Sequence, residues 1–270
     1  MRWRYLIIPV VLLGLFALGF SNNRGSGGIR YVGVPDGAGG LIVRYVLQEK
    51  MNQHAIHTIR FEPFALNDCC ASPAQYAMGS GCLDIAVMCS DAARVLVTKD
   101  PRYEIAFPVI KNSDIFIARA DDSRRDLSIA VSQNRDFQQK MVKQRYGERG
   151  CPVPMLHSGV PFAYSKGIVQ GAVVDITKAF TLDGVLSSAA DNGDDFITHV
   201  MVIKKSLKNN DTFRQFIEIY DQAVRETDSP ERLLHLLRIC ESTDYTMREV
   251  EIWQKFNVRF MHSLKGGPKG

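Results

Sequence analysis

The sequence predicts an α/β protein of two lobes with a cleft between them. Three observations carry this. Strand and helix patterns alternate three times over between residues 29 and 99, the mark of a parallel sheet wrapped by crossover helices. A second run of the same kind starts after the charged stretch 121–126. An apolar content of 46% over 270 residues can fill two cores, and it excludes disordered and collagen-like chains.

In the first unit, residues 29–34 read as a strand. Pro35-Asp36-Gly37-Ala38-Gly39-Gly40 is a tight Gly-rich turn, and 41–51 has helical spacing through Leu41, Tyr45 and Leu47. Residues 58–64 form a second strand, followed by Asn67, Asp68, Cys69 and Cys70. Ser72-Pro73 then starts a helix, with Ser at the N-cap and Pro at the first helical position, and the helix stops near Gly79. Residues 83–88 are nearly continuous in apolar character, as a buried parallel strand is. Ser90 caps a further helix through 92–97, and 105–109 and 115–118 are strands separated by a hinge at Lys111-Asn112-Ser113-Asp114.

The second unit repeats the scheme. Residues 127–131 form a strand and Ser132-Gln133-Asn134 a polar turn, and an amphipathic helix over 136–146 ends at Gly147. A short strand over 153–156 leads to His157-Ser158-Gly159, a helix spans 161–169, and 172–174 runs as a strand into Asp175. Residues 199–203 read as a strand returning to the first unit, and helices near 207–226, 230–240 and 246–256 finish the chain. The expected organisation is a first lobe over 29–112, a second over 113–198, and a return to the first lobe with terminal helices over 199–265.

Arg2 and Arg4 precede an uncharged, mostly apolar run of 16 residues, 5–20, and a polar Gly-rich stretch, 21–28. That order reads as a secretory leader, so 1–22 is a signal peptide or, if uncut, an N-terminal anchor. The run is short for a membrane span, and no later segment is long and apolar enough to be one. Ala17-Leu18-Gly19 offers small residues for cleavage, and no cysteine near the end of the run supplies a lipoprotein anchor. The body is therefore expected outside the cytoplasm. The formal charge of +4, from 33 basic and 29 acidic residues with no long basic block, argues against nucleic-acid binding.

Ligands of open α/β sheets bind beyond the carboxyl ends of the strands. This singles out the loops 35–40, 67–70, 89–91, 132–134, 157–159 and 175–177. Asp36 and the N–H groups of Gly37 to Gly40 are candidates for an anionic or polar ligand group, or form only a turn into a helix. Asn134 lies on the polar turn. Asp91 and Asp175 are candidates for a cationic partner, with capping of the next helix as the other role of Asp175. His157 is a candidate ligand or a structural hydrogen-bonder. Cys69, Cys70 and Cys89 stand between strand ends and helix starts, where the helix dipole favours thiolates. Thiolates prefer soft ions, so these three are the candidate metal ligands. The alternatives are core packing for Cys89 and a disulfide within the set. The other three cysteines fall elsewhere: Cys82 and Cys151 before strands at the far edge, and Cys240 on a terminal helix. No CxxC occurs, and no catalytic triad or phosphate loop stands out.

The order of these motifs carries a resemblance. A leader precedes Val32-Gly33-Val34-Pro35. A Pro-started helix then runs into Met78-Gly79-Ser80-Gly81-Cys82-Leu83-Asp84-Ile85-Ala86, and Gly171-Ala172-Val173-Val174-Asp175-Ile176 follows later. Over roughly 29–260 this resembles the substrate-binding proteins of ABC importers, in the group of taurine, nitrate and thiamine-precursor binders. The resemblance implies a two-lobed periplasmic-binding-protein-like fold of type II. It also implies a monomer that binds a small molecule and delivers it to a transporter permease, with no resident cofactor. The Cys69-Cys70 pair further resembles the binding component of the selenocysteine-assisted organometal branch, which implies a soft-metal or organometal ligand. The alternative functions are a thiol-dependent or thiamine-precursor-synthase-like enzyme on the same fold, and a ligand-sensing module.

Overall fold

The computed structural model describes residues 29–51, 60–66, 72–119, 126–188, 190, 195–241 and 243–263. The chain opens with strand β1 (Ile29–Pro35) and helix α1 (Ala38–Tyr45), which widens into a π turn over Val46–Lys50. Strand β2 (Arg60–Leu66), helix α2 (Ser72–Gly79), β3 (Ile85–Cys89), α3 (Ser90–Lys99) and β4 (Tyr103–Lys111) follow. The second unit holds β5 (Asp114–Ala118), β6 (Leu127–Ser132), α4 (Asp136–Tyr146), β7 (Gly150–Met155), α5 (Gly159–Ser165), β8 (Gly171–Asp175), the one-turn α6 (Ile176–Ala179) and β9 (Val185–Ser188). Then come β10 (Ile197–Lys204), α7 (Asp211–Glu226), α8 (Pro230–Glu241), α9 (Met247–Lys255) and β11 (Arg259–Phe260).

Two sheets result. The first has the order β11-β4-β10-β3-β1-β2, the second β7-β6-β8-β5-β9. Each has three parallel strands with the first in the middle, extended by an antiparallel strand that arrives from the other unit: β10 in the first, β5 in the second. β3 is buried along all five residues, as its apolar run predicts. The terminal helices return to the first sheet. α7 buries Phe213, Phe216, Tyr220 and Val224, and Phe216 lies 5.3 Å ring to ring from Phe61 of β2. A capping box of Thr246 and Glu249 starts α9.

One asparagine ties the two crossings between units. Asn112, left-handed at φ 60°, donates from Nδ2 to Asp195 Oδ1 at 2.8 Å and to the Asn257 carbonyl at 3.0 Å. Its Oδ1 accepts the Phe196 N–H at 2.8 Å. Asparagine tolerates this backbone conformation better than other L-residues. The turn between β4 and β5 is thereby fastened to the chain entering β10.

Several expectations are corrected. α1 starts at Ala38, three residues early, because Gly39 and Gly40 of the turn are themselves helical. A Cβ on Gly40 would lie 2.0 Å from the Pro35 carbonyl oxygen, so only glycine fits that turn. Ser90 does not cap α3: Cys89 holds the N-cap position, and the Ser90 hydroxyl donates to the Ile197 carbonyl at 2.6 Å instead. Cys151 lies inside β7 rather than before it, since the strand begins at Gly150. α5 ends at Ser165, short of the expected 169, where Gly167 turns left-handed at φ +71°. β9 and β11 add edge strands that the periodicity did not mark.

Candidate functional site

The carboxyl ends of the parallel strands of both sheets meet face to face. From the first unit come the 36–40 turn, Cys89 and Asp91. From the second come the Ser132–Arg135 turn, His157 and Asp175. The core of the meeting is polar and buried. Asp114 is 1% exposed, Arg135 3%, His199 3% and Gln138 0%. Buried groups of this kind are costly unless paired, and the pairs that form here cross elements. Arg135 Nη2 stands 2.7 Å from Asp114 Oδ2. Gln138 accepts the Ser132 N–H at 2.9 Å, and the Ser132 hydroxyl bonds His157 Nδ1 at 2.9 Å.

Among the described residues, hydrogen bonds from helix starts join the units across the meeting. The Ala38 N–H donates to Asp175 Oδ1 at 3.0 Å, and the Phe137 N–H donates to Asp91 Oδ2 at 3.3 Å. Asp175 also caps its own α6 through the Thr177 N–H, as one of its expected roles required. Burial pushes the Asp175 carboxyl up to about 7, against the hydrogen bonds from Ala38 and Thr177. Burial likewise raises Asp91 and Asp114, the latter against the pull of Arg135. His199 is driven down to about 3, first by burial and then by the Arg135 charge. The imidazole is therefore neutral at physiological pH.

The expected site residues separate into groups. Gly37 lies against Asp175 and Gly39 against His199; a Cβ on either would approach to 2.8 Å and 2.6 Å. Cys89 is buried and registers opposite His199 on the neighbouring strand. Asp91, Asp175 and His157 all belong to the meeting surface. Asp36 is half-buried on the rim of its turn. Asn134 is exposed and left-handed at φ 63°, a turn residue by geometry. Cys69 and Cys70 lie outside the described residues. Among the described residues no group of three His, Cys, Asp or Glu side chains is placed to hold a metal ion.

Four residues of this cluster carry no ligand assignment in the sequence: Arg135, Asp114, Gln138 and His199. Arg135 had a readable signal, a cation directly after a turn at a sheet's carboxyl edge. Asp114 reads from the sequence only as part of the break between two strands. His199 sits in a strand, where nothing local marks it. Beside this cluster a cavity of about 360 Å³ opens between the starts of α3, α4 and β10, walled by Asp91, Arg94, Arg135, Phe137 and Phe196. No helix among the described residues is long and apolar enough to cross a membrane.

No family model matches the sequence, and no curated protein sequence does. Solved structures do. The ligand-binding component of an ABC-type import system from Staphylococcus aureus, solved with zinc bound, superposes at TM-score 0.70 and 12% identity, over 89% of this chain and 87% of that one. The alkanesulfonate-binding protein SsuA from Xanthomonas axonopodis pv. citri, bound to MOPS, gives 0.66 and 11%, over 86% of each chain. A nutrient-binding protein from Burkholderia cenocepacia bound to methionine gives 0.55 and 14%, over 77% of this chain and 95% of that one. With the topology above, these likenesses establish the fold: two α/β lobes of the periplasmic-binding-protein-like kind, with their strand ends facing across a cleft.

Proposed function

We propose that the chain is the extracytoplasmic substrate-binding component of an ABC importer, a binder rather than an enzyme, which closes its lobes on a small solute for a permease to accept. The observation that carries this reading is the meeting of both sheets' carboxyl ends on one buried polar set, Asp114, Arg135, Asp175 and His199, beside a two-stranded crossing tied at Asn112. Such a hinge lets two rigid lobes open and shut around a ligand. The structural neighbours support the reading by their own ligands, which are as different as zinc, MOPS and methionine.

For the ligand class we propose a soft-metal or organometal species held by Cys69, Cys70 and Cys89. Cys89 ends β3 at the start of α3. Leu66, the last residue of β2 and three positions before Cys69, packs in the same core cluster as Cys89. Only β1 separates β2 from β3, a distance of roughly 10 Å from strand to strand. The test is calorimetric titration of the reduced protein with mercuric, methylmercuric, arsenite and zinc species, beside the Cys69→Ser/Cys70→Ser variant. One-to-one binding of a soft species, weakened more than about tenfold in the variant, is the expected result. Equal affinities would overturn the thiol assignment and return the search to organic solutes.

A further inference from the structure

Helices α1 and α4 both start without a cap of their own. Gly37 and Arg135 hold their N-cap positions, and neither side chain bonds the helix end. The first N–H groups of a helix have no partner within it and need an acceptor. Here an aspartate of the opposite lobe supplies one. Asp175 accepts from Ala38, the first residue of α1, at 3.0 Å, and Asp91 accepts from Phe137, the second residue of α4, at 3.3 Å.

The two contacts are counterparts. α1 follows the central parallel strand of its sheet, β1, and α4 follows the central strand of the other, β6. Asp91 stands just past β3 and Asp175 ends β8, the third parallel strand of each sheet. Each lobe therefore offers one helix end and receives one carboxylate, by the same topological step. The fit is close. Gly37 is left-handed at φ +73°, and a Cβ there would come within 2.8 Å of Asp175 Oδ1. Glycine is what lets the carboxylate reach the helix end.

We propose that Asp91 and Asp175 are reciprocal latches that hold the lobes shut, each acting across the cleft as the N-cap of a helix that has none when the lobes part. The contacts need both lobes in place, so they shift the opening equilibrium toward the closed form. An anionic solute seeking either helix end must compete with a resident carboxylate, and this turns the cleft away from simple anions. The inference rests on reading the cleft as the working site, yet its test needs no importer ligand.

The full chain is measured in solution without ligand, by small-angle X-ray scattering and by amide exchange at Ala38 and Phe137. The wild type is expected to be compact with both amides protected. Asp175→Ala should speed exchange at Ala38, and Asp91→Ala at Phe137, each by roughly tenfold. The double variant should have the larger radius of gyration. Sodium formate, a carboxylate small enough to enter the vacated position, should restore compactness and protection in the alanine variants and leave the wild type unchanged. Asp91→Asn and Asp175→Asn keep an acceptor oxygen and should stay closed, which separates unlatching from loss of fold. A double alanine variant with native circular dichroism and wild-type radius and exchange would overturn the latches. So would opening indifferent to formate, or a wild type already extended with both amides exchanging freely. Failure of metal titration leaves this result untouched, and the reverse holds.

Discussion

Asp114 and Arg135 form a two-point ion pair inside the cleft. Nη2 lies 2.7 Å from Oδ2 and Nη1 lies 3.2 Å from Oδ1, with the side chains 1% and 4% exposed respectively. The aspartate starts the crossing strand β5 and the arginine precedes α4, so the pair fixes the second lobe's cleft face to the crossing between the units.

Removing the cation strands the carboxylate. Arg135→Ala is expected to destabilise the protein by about 3–5 kcal/mol, because a buried charge then loses its counter-ion. The double variant Arg135→Met/Asp114→Leu should recover much of that loss. Urea unfolding of the three proteins checks both statements.

Gly39 abuts the His199 ring, and a methyl group there would sit 2.6 Å from ring carbons. The ring is held in a buried strand and has little room to retreat. Gly39→Ala should therefore cost about 1–3 kcal/mol through overpacking, read as a lowered thermal midpoint. Gly79→Ala, with nothing within 4 Å of the added carbon, is the control and should not lower it.

Asp175 and His199 set opposed pH dependences. Asp175 is raised from 3.8 to about 7, so the folded state holds its proton more tightly. Its contribution is full below about pH 4 and is lost as pH rises toward 7. His199 is lowered from 6.5 to about 3, so its contribution is present above 6.5 and is lost as pH falls. Between about pH 4 and 6.5 the two slopes cancel in the wild type. Relative to the wild type, His199→Gln should tilt the profile toward stability falling with rising pH in that window, by up to about 1.4 kcal/mol per pH unit, and Asp175→Asn should tilt it toward rising. Asp114 faces Asp175, and Cys89, His157 and Arg135 face His199, so these groups titrate as neighbours of both. Urea midpoints across the window read the result.

The thiols should differ in reactivity. Cys82 and Cys151 are exposed, whereas Cys240 is buried, donates to the Leu41 carbonyl at 3.5 Å and is pushed up to about 12 by burial. Alkylation of the native protein at neutral pH, followed by peptide mass spectrometry, should modify Cys82 and Cys151 and spare Cys240, because only an accessible thiolate reacts. Cys240→Ser should leave ligand binding unchanged.

The architecture was legible because burial writes itself into local pattern. The apolar run before Cys89 announces a strand covered on both faces, and the Ser72-Pro73 pair announces the start of a helix. The Gly-rich turn after Pro35 announces a close passage. Even the hinge at Asn112 shows, as a polar break between two apolar strands. What such patterns lack is any record of the second partner. Asp175 reads as a ligand or as the cap of its own helix until Ala38 is seen opposite it, 137 residues away in the chain.

By itself, then, the sequence determined the repeated strand-helix order, the turn glycines and the loops that end at the sheets' carboxyl edges, since period and backbone sterics act within a few residues. Only the tertiary structure decided that Arg135 pairs with Asp114, that His199 presses on Gly39, and that α1 and α4 are capped from across the cleft. Those choices depend on which distant groups share a volume without water. There an unmet charge or N–H costs more than any local preference can supply.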